Sequence, residues 1–268
     1  MAKLPIIVAS GGINTAGRTS YRHAHNRLVF DSLDQAKRDE TACALTVMMD
    51  AQDVDKVLDG TLVRKIERAH FDPAAVPTNY RFRVDDVHGV VNLTPDGFAT
   101  SRATDALRGL SSGDTVYVAA EREFDVGVAG QLPSGFDPGA LYTSRNHPRG
   151  LQMSIYAMSD ALADLGLDWD QLTAGLSPDA VSVYVSSSMG QLDEAATGGM
   201  LTAALRGERV LAKNCPLGFA EMPGDFLNAY VLKSLGQTGP ALGACATFLY
   251  NLQRGVDDIR SGLSLIHI

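Results

Sequence analysis

Gly239-Pro240-Ala241-Leu242-Gly243-Ala244-Cys245-Ala246-Thr247 is the stretch that decides how this chain is read. Gly239-Pro240 turns the chain into a short run of small residues, Ala241 to Ala244, which reads as a strand. A helical seam follows at Leu249, Leu252, Val256 and Ile259. Cys245 thus falls at a strand-to-helix junction, with only Gly243, Ala244 and Ala246 crowding it. A thiol there meets the unpaired N–H groups and positive dipole end of a helix, which favour the nucleophilic thiolate. The same N–H groups can hold an oxyanion formed when sulfur attacks a thioester carbonyl. The logic is that of a nucleophile elbow, although Gly-Ala-Cys-Ala-Thr is not G-x-S-x-G. A small buried residue at a tight strand–helix contact explains the same pattern, since free cysteine is among the most buried residue types.

Working back toward the N-terminus, Pro223 to Leu235 reads as a helix with Leu227, Val231 and Leu235 in register and Gly236 as its stop. Another helix is expected near Gly198 to Leu205. Val181, Val183 and Val185 alternate as in a strand, which Ser186-Ser187-Ser188-Met189-Gly190 breaks. Before it, Leu151, Ile155, Met158, Leu162 and Leu165 recur at steps of four and three, the seam of an amphipathic helix. Pro148 suits its first turn and Gly166 its C-terminal stop. Helices and strands in this order imply an α/β layered domain.

Ile6 to Ala9 reads as a buried first strand ending in Gly11-Gly12, too short for a signal peptide. Gly11, Gly12 and Gly17 do not fit the dinucleotide fingerprint G-x-G-x-x-G. Residues 19 to 50 look largely helical. Residues 53 to 127 differ: charges are mixed, and β-like runs at Tyr80 to Val84, Val87 to Leu93 and Thr115 to Ala120 alternate with turn signals. This region reads as a β-rich insertion on the main fold, with His70 and His88 in structural or solvated roles. Phe124 to Gln131 is a further candidate strand, and Phe136 to Gly139 a turn.

The 268 residues suffice for one large domain or at most two. Lys plus Arg is 23 against 31 Asp plus Glu, so the net charge of −8 argues against a generic nucleic-acid binder. No apolar run reaches the length of a membrane span. Three scattered cysteines suggest neither a disulfide framework nor a zinc site, and the default compartment is a reducing cytoplasm. Cys43 reads as a small buried hydrophobe, and Cys215 as structural, in a proline turn with no following helix. No metal or nucleotide site is visible, and no cofactor is expected.

The segment around Cys245 resembles the active-site segment of the β-ketoacyl-acyl carrier protein synthases. Asp160 to Leu167 followed by Val181 to Gly190, and Asn228-Ala229-Tyr230 with Gly236 to Pro240, resemble further family segments in the right order. The FabY-like branch is the nearest in style, through Gly11 to Arg18 and the block Ser144 to Met153 with Asn146-His147-Pro148-Arg149-Gly150 at its centre. The resemblance implies a layered α/β/α/β/α thiolase-like fold, of which residues 1–262 would be the N-terminal half, and a homodimer in the cytoplasm. It implies that Cys245 takes an acyl group from a thioester and passes it to a carbanion made by decarboxylating malonyl-acyl carrier protein. The backbone N–H of Cys245 would be an oxyanion donor. Met189 and Thr247 would contact substrate, Met189 at the family's acyl pocket.

In the family, two histidines and a lysine from the second half assist decarboxylation, and none of the six histidines here sits in a matching motif. Residues 1–268 therefore read as half a synthase, with 263–268 an atypical tail. Such a half would expose apolar surface and be poorly soluble. Two other readings stand beside the synthase: a non-catalytic partner subunit, against which Cys245 speaks, and a coenzyme A-dependent thiolase-like enzyme. Acyl carrier proteins are acidic, so docking calls for basic groups, either Arg64, Lys65 and Arg68 or Arg145 and Arg149.

Overall fold

The computed structural model describes residues 4–51, 53–66, 79–83, 115–119, 126–203 and 209–268. The chain divides into two compact units, one of residues 1–64 with 130–268, the other of residues 65–129. In the second unit, strands Asn79–Arg83 and Thr115–Ala119 form an antiparallel pair with Arg81 opposite Tyr117. The expected Val87 to Leu93 run, His70, His88 and Arg68 lie outside the described residues.

The first unit begins with a hairpin of β1 (Ile13–Asn14) and β2 (Gly17–Arg18), followed by α1 (His23–Leu28) and α2 (Gln35–Met49). Asp34 caps α2 by accepting from the Lys37 N–H. α2 turns Thr41, Ala42, Leu45 and Met49 inward, where Leu45 and Met49 pack with Val57 of α3 (Val54–Asp59). Cys43 is exposed, contrary to its reading as a buried hydrophobe. Two residues of helix turn it about 200° away from Leu45, onto the opposite face.

α4 (Arg149–Leu165) is the helix that the leucine spacing predicts. Pro148 precedes it, and Gly166 ends it in the left-handed conformation at φ 68°. Leu151, Ile155 and Met158 are buried. Ile155 and Met158 join a core with Trp169 of α5 (Trp169–Thr173), Val181, Val183, Leu227 and Leu232. The Trp169 indole is satisfied within that core, donating to the Leu232 carbonyl at 3.2 Å.

The strand β3 (Val181–Ser182) is central. It pairs in parallel with β4 (Ile266–His267) on one edge, and Val183 bridges in parallel to Thr238 on the other. Val181, Ser182, Val183 and Tyr184 are all buried, so the expected alternation gives way to burial on both faces, as in parallel sheets. After it come α6 (Thr197–Ala203), the one-turn α7 (Asn214–Leu217) and α8 (Met222–Leu227). Cys215 lies inside α7 and is exposed, which corrects its reading as part of a turn without a helix.

α8 runs into a widened turn, Asn228–Leu232, and stops at Lys233 in the left-handed conformation at φ 55°. The helix therefore ends before Leu235 and Gly236. Leu235 is exposed, and Gly236 serves a different purpose: a Cβ there would sit 2.0 Å from the Val181 carbonyl oxygen. The glycine lets the returning chain touch the central strand.

Ile6 to Ala9 forms no strand. Ile6 and Ile7 are 80% and 78% exposed, because among the described residues nothing pairs with this run or covers it. An apolar run becomes a strand only where an edge offers partners. The chain is held just beyond it, where Gly11 meets α4 so closely that a Cβ would lie 2.1 Å from the Ala161 nitrogen.

Burial lowers the pKa of His23 and of His147, with the charges of Arg18 and Lys213 respectively adding to it. The fold thus favours neutral imidazoles, while the unfolded chain takes up protons near pH 6.5. This stabilising contribution is complete above that pH and is lost as pH falls through it toward the lowered folded values. The urea midpoint should therefore drop between pH 7.5 and 5.5, and His147→Gln should shrink the drop. An unchanged difference in that variant excludes His147 as a source.

Candidate functional site

Cys245 is exposed and lies in a tight turn, Ala244–Ala246, that leads into α9 (Thr247–Ser261). The expected strand Ala241 to Ala244 is absent. The paired residue is Thr238, and the chain from Gly239 onward is irregular. Ala244, immediately before the cysteine, has φ 47°, a conformation that costs an alanine about 1–3 kcal/mol. The elbow that the sequence suggests is thus strained at the residue before Cys245.

Side chains of α9 hold that strain in place. The Thr247 hydroxyl accepts from the Gly243 N–H at 3.1 Å and donates to the Ala244 carbonyl at 2.8 Å. The Ala246 N–H closes the turn on the Gly243 carbonyl at 2.8 Å. One turn further along α9, Asn251 accepts from the Ala241 N–H at 2.9 Å and donates to the Ser186 hydroxyl at 3.1 Å. A Cβ at Gly243 would fall 2.1 Å from the Tyr250 ring, so a larger residue there would have to displace that half-exposed ring.

Ser186 belongs to the turn that ends the central strand, so Asn251 ties the elbow to the segment bearing Met189. Met189 is 71% exposed. The turn beyond it needs Gly190, which has φ 67° and whose Cβ would meet the Gly218 carbonyl at 2.2 Å. Of the three sequence candidates, Cys245 and Met189 are accessible, whereas Thr247 is buried with its hydroxyl engaged within the elbow. Asn251 and Ser186 escaped sequence reading. The available signal was an asparagine four residues after Thr247, on the same helix face.

Replacing that threonine should loosen the turn while sparing the thiol. Thr247→Val should slow iodoacetamide modification or acylation of Cys245 severalfold, with little change in the unfolding midpoint. Equal rates would show that the hydroxyl does not position the elbow.

The inward face of α9 is small or polar: Thr247, Asn251, Gly255 and Asp258 are buried. The expected seam lies about 120° round the helix: Leu249 is 60% exposed, Phe248 beside it is 72% exposed, and Val256 and Ile259 are half-buried. α9 therefore presents an apolar face away from the central strand.

A second group of site-like residues is structural. Tyr142 shares a 3.1 Å hydrogen bond with His147 Nδ1, and Tyr230 and Phe226 pack edge-on against that pair. Burial, with Tyr230 adjacent, pushes the Tyr142 hydroxyl up to about 12. Arg64 donates to the Leu132 carbonyl at 2.6 Å, whereas Arg145 and Arg149 are exposed. Among the described residues, no helix is long and apolar enough to cross a membrane.

No family model matches the chain. In fold the chain nevertheless belongs to the thiolase-like α/β class, and in sequence it is similar to a β-ketoacyl synthase. A β-ketoacyl synthase structure from Burkholderia phymatum STM815, 16% identical, covers the whole chain at a TM-score of 0.52 and shows the fold alone. The particular relative is the β-ketoacyl-[acyl-carrier-protein] synthase FabY of Pseudomonas aeruginosa, 40% identical over all of this chain and 48% of its own length. The crystal structure of that noncanonical ketosynthase matches at a TM-score of 0.83, with 39% identity over the whole chain and 47% of its own. Fatty acid synthase 2 of Mycosarcoma maydis is 28% identical over 59% of this chain and 4% of its own length. The chain spans about half the length of the FabY relative and of these two structures.

Proposed function

We propose that this chain is the nucleophile-bearing half of a β-ketoacyl-acyl carrier protein synthase of fatty acid biosynthesis. The observation that carries this reading is the exposed Cys245 on a strained elbow, in a chain related throughout its length to FabY. Cys245 Sγ attacks the thioester carbonyl. The negative charge on oxygen is held by backbone N–H groups at the start of α9, that of Cys245 among them. Collapse breaks the carbon–sulfur bond and releases the carrier thiol, which takes up the proton, leaving the acyl group on Cys245. In the second half-reaction, malonyl-acyl carrier protein loses CO2. The electron pair left on carbon attacks the acyl carbonyl and expels the Cys245 thiolate.

Met189, on the turn joined to the elbow through Ser186 and Asn251, is positioned to line the acyl path, and Thr247 acts by positioning. The outward apolar face of α9 suits the buried-helix layer of the thiolase-like sandwich, which a second layer covers in the homodimeric, cytoplasmic enzyme. The exposed Arg145 and Arg149 are the better candidates for docking an acidic carrier protein, since Arg64 is held by backbone carbonyls. The alternative readings, a non-catalytic partner subunit or a coenzyme A-dependent enzyme, separate in one experiment. The chain is incubated with decanoyl-acyl carrier protein and, separately, with decanoyl-coenzyme A. Peptide mass spectrometry then locates the decanoyl group. Preferential acylation of Cys245 by the carrier thioester supports the synthase. No label defeats it, and strong preference for the coenzyme A thioester replaces it with the thiolase-like reading.

A further inference from the structure

A concavity of about 790 Å3 opens beside α1 and α2 and shares no lining residue with the elbow. Arg18 and His23 stand on one side of it, and Val47 and Phe136 supply apolar wall. Arg18 is half-buried, and its Nε donates to His23 Nδ1 at 2.8 Å. An imidazole nitrogen that accepts is unprotonated, and burial together with the charge of Arg18 keeps His23 in that neutral form. The bond therefore orients the guanidinium without neutralising it. The Tyr21 ring lies 5.2 Å from the guanidinium carbon. Among the described residues, no carboxylate lies within ion-pair distance of Arg18, and its terminal nitrogens have no hydrogen-bond partner. Glu40 and Asp137 line the same concavity, neither within ion-pair distance of Arg18.

A fixed, unneutralised cation at the side of an apolar concavity of ligand size is complementary to one chemistry. We propose that this concavity binds a small amphipathic carboxylate, its anionic end on Arg18 and its apolar body along Val47 and Phe136. The inference does not rest on the reading of Cys245.

Cys43 supplies the reporter, since it is exposed and lines the same space. Decanoate is added to the full chain, and alkylation of each cysteine by a maleimide is followed by peptide mass spectrometry. Decanoate should slow alkylation of Cys43 but not of Cys215, equally well in Cys245→Ala. Arg18→Gln should weaken that protection about tenfold, the scale of one lost charge-assisted hydrogen bond. Val47→Asp changes a side chain that is exposed, so the fold is retained, and should weaken it as much by setting a negative charge in the ligand's path. Decanol, which lacks the carboxylate, should protect poorly. Unaltered Cys43 reactivity, equal protection by decanol, or equal protection in both variants overturns the proposal.

Discussion

Cys245→Ala should abolish acyl transfer to the chain, with a loss on the order of 10³-fold or more in the rate of adduct formation. Three exposed thiols are present, so total label is an ambiguous readout and the adduct must be mapped to its peptide. Cys43 and Cys215 serve as internal controls. Both are accessible, but neither follows a strained residue at the entrance of a long helix, since Cys43 is mid-helix and Cys215 lies in a single turn. If accessibility alone governed reaction, all three would acylate together and Cys245→Ala would remove only its share. If the elbow matters, label concentrates on Cys245 and disappears with it. Cys245→Ser should also fall far below the native rate, because a hydroxyl is scarcely ionised at neutral pH whereas a thiol is partly so.

How much of this was legible in the sequence follows from what each signal measures. The α4 seam could be read because its apolar stripe faces the core and its other face is polar. Gly166 could be read because a left-handed stop nearly demands glycine. The elbow's place was legible from glycine, small residues and cysteine at the head of a helix. Its details were not. A positive φ falls on Ala244, and no local rule assigns that strain to an alanine; it is held by Thr247 and Asn251 through bonds that only the folded geometry creates.

The largest misreading, the buried face of α9, has a plain cause. Leu249, Leu252, Val256 and Ile259 make a regular stripe, and periodicity locates a stripe without saying what it meets. Here a neighbouring face meets the sheet, because it carries the hydrogen-bonding groups that build the elbow and the small Gly255 that permits close approach. The same blindness made Ile6 to Ala9 look buried. Gly236 has the pattern of a helix stop, whereas its role is contact with Val181. In that case the residue was informative, but two physical reasons for glycine compete and only the three-dimensional path chooses between them.

Asp160→Ala should destabilise the first unit by about 3 kcal/mol, the scale expected when buried donors lose a charged acceptor. Asp160 is 5% exposed in the middle of α4. It accepts from the Gly12 N–H at 3.1 Å, the Ser20 N–H at 3.1 Å and the Ser20 hydroxyl at 2.6 Å. One turn later Asp164 accepts from the Ser10 and Tyr21 N–H groups, each at 3.2 Å. Two carboxylates at i and i+4 on one helix face thus grip both ends of the β1–β2 hairpin. Asp160→Asn keeps one acceptor oxygen but turns an amide NH2 toward donors, so its cost should fall between those of alanine and the native residue. Asp164→Ala, at a more exposed position, should cost about 1 kcal/mol. Urea unfolding of the three variants gives the order directly, and Asp160→Ala falling at or below Asp164→Ala would remove Asp160 from its role as the main clamp. The same loss should reach function by a second route. Arg18 rides on β2, so a hairpin freed from α4 no longer holds the guanidinium against His23. Protection of Cys43 by decanoate should weaken in Asp160→Ala while acylation of Cys245, at the far end of the chain, persists in the folded fraction.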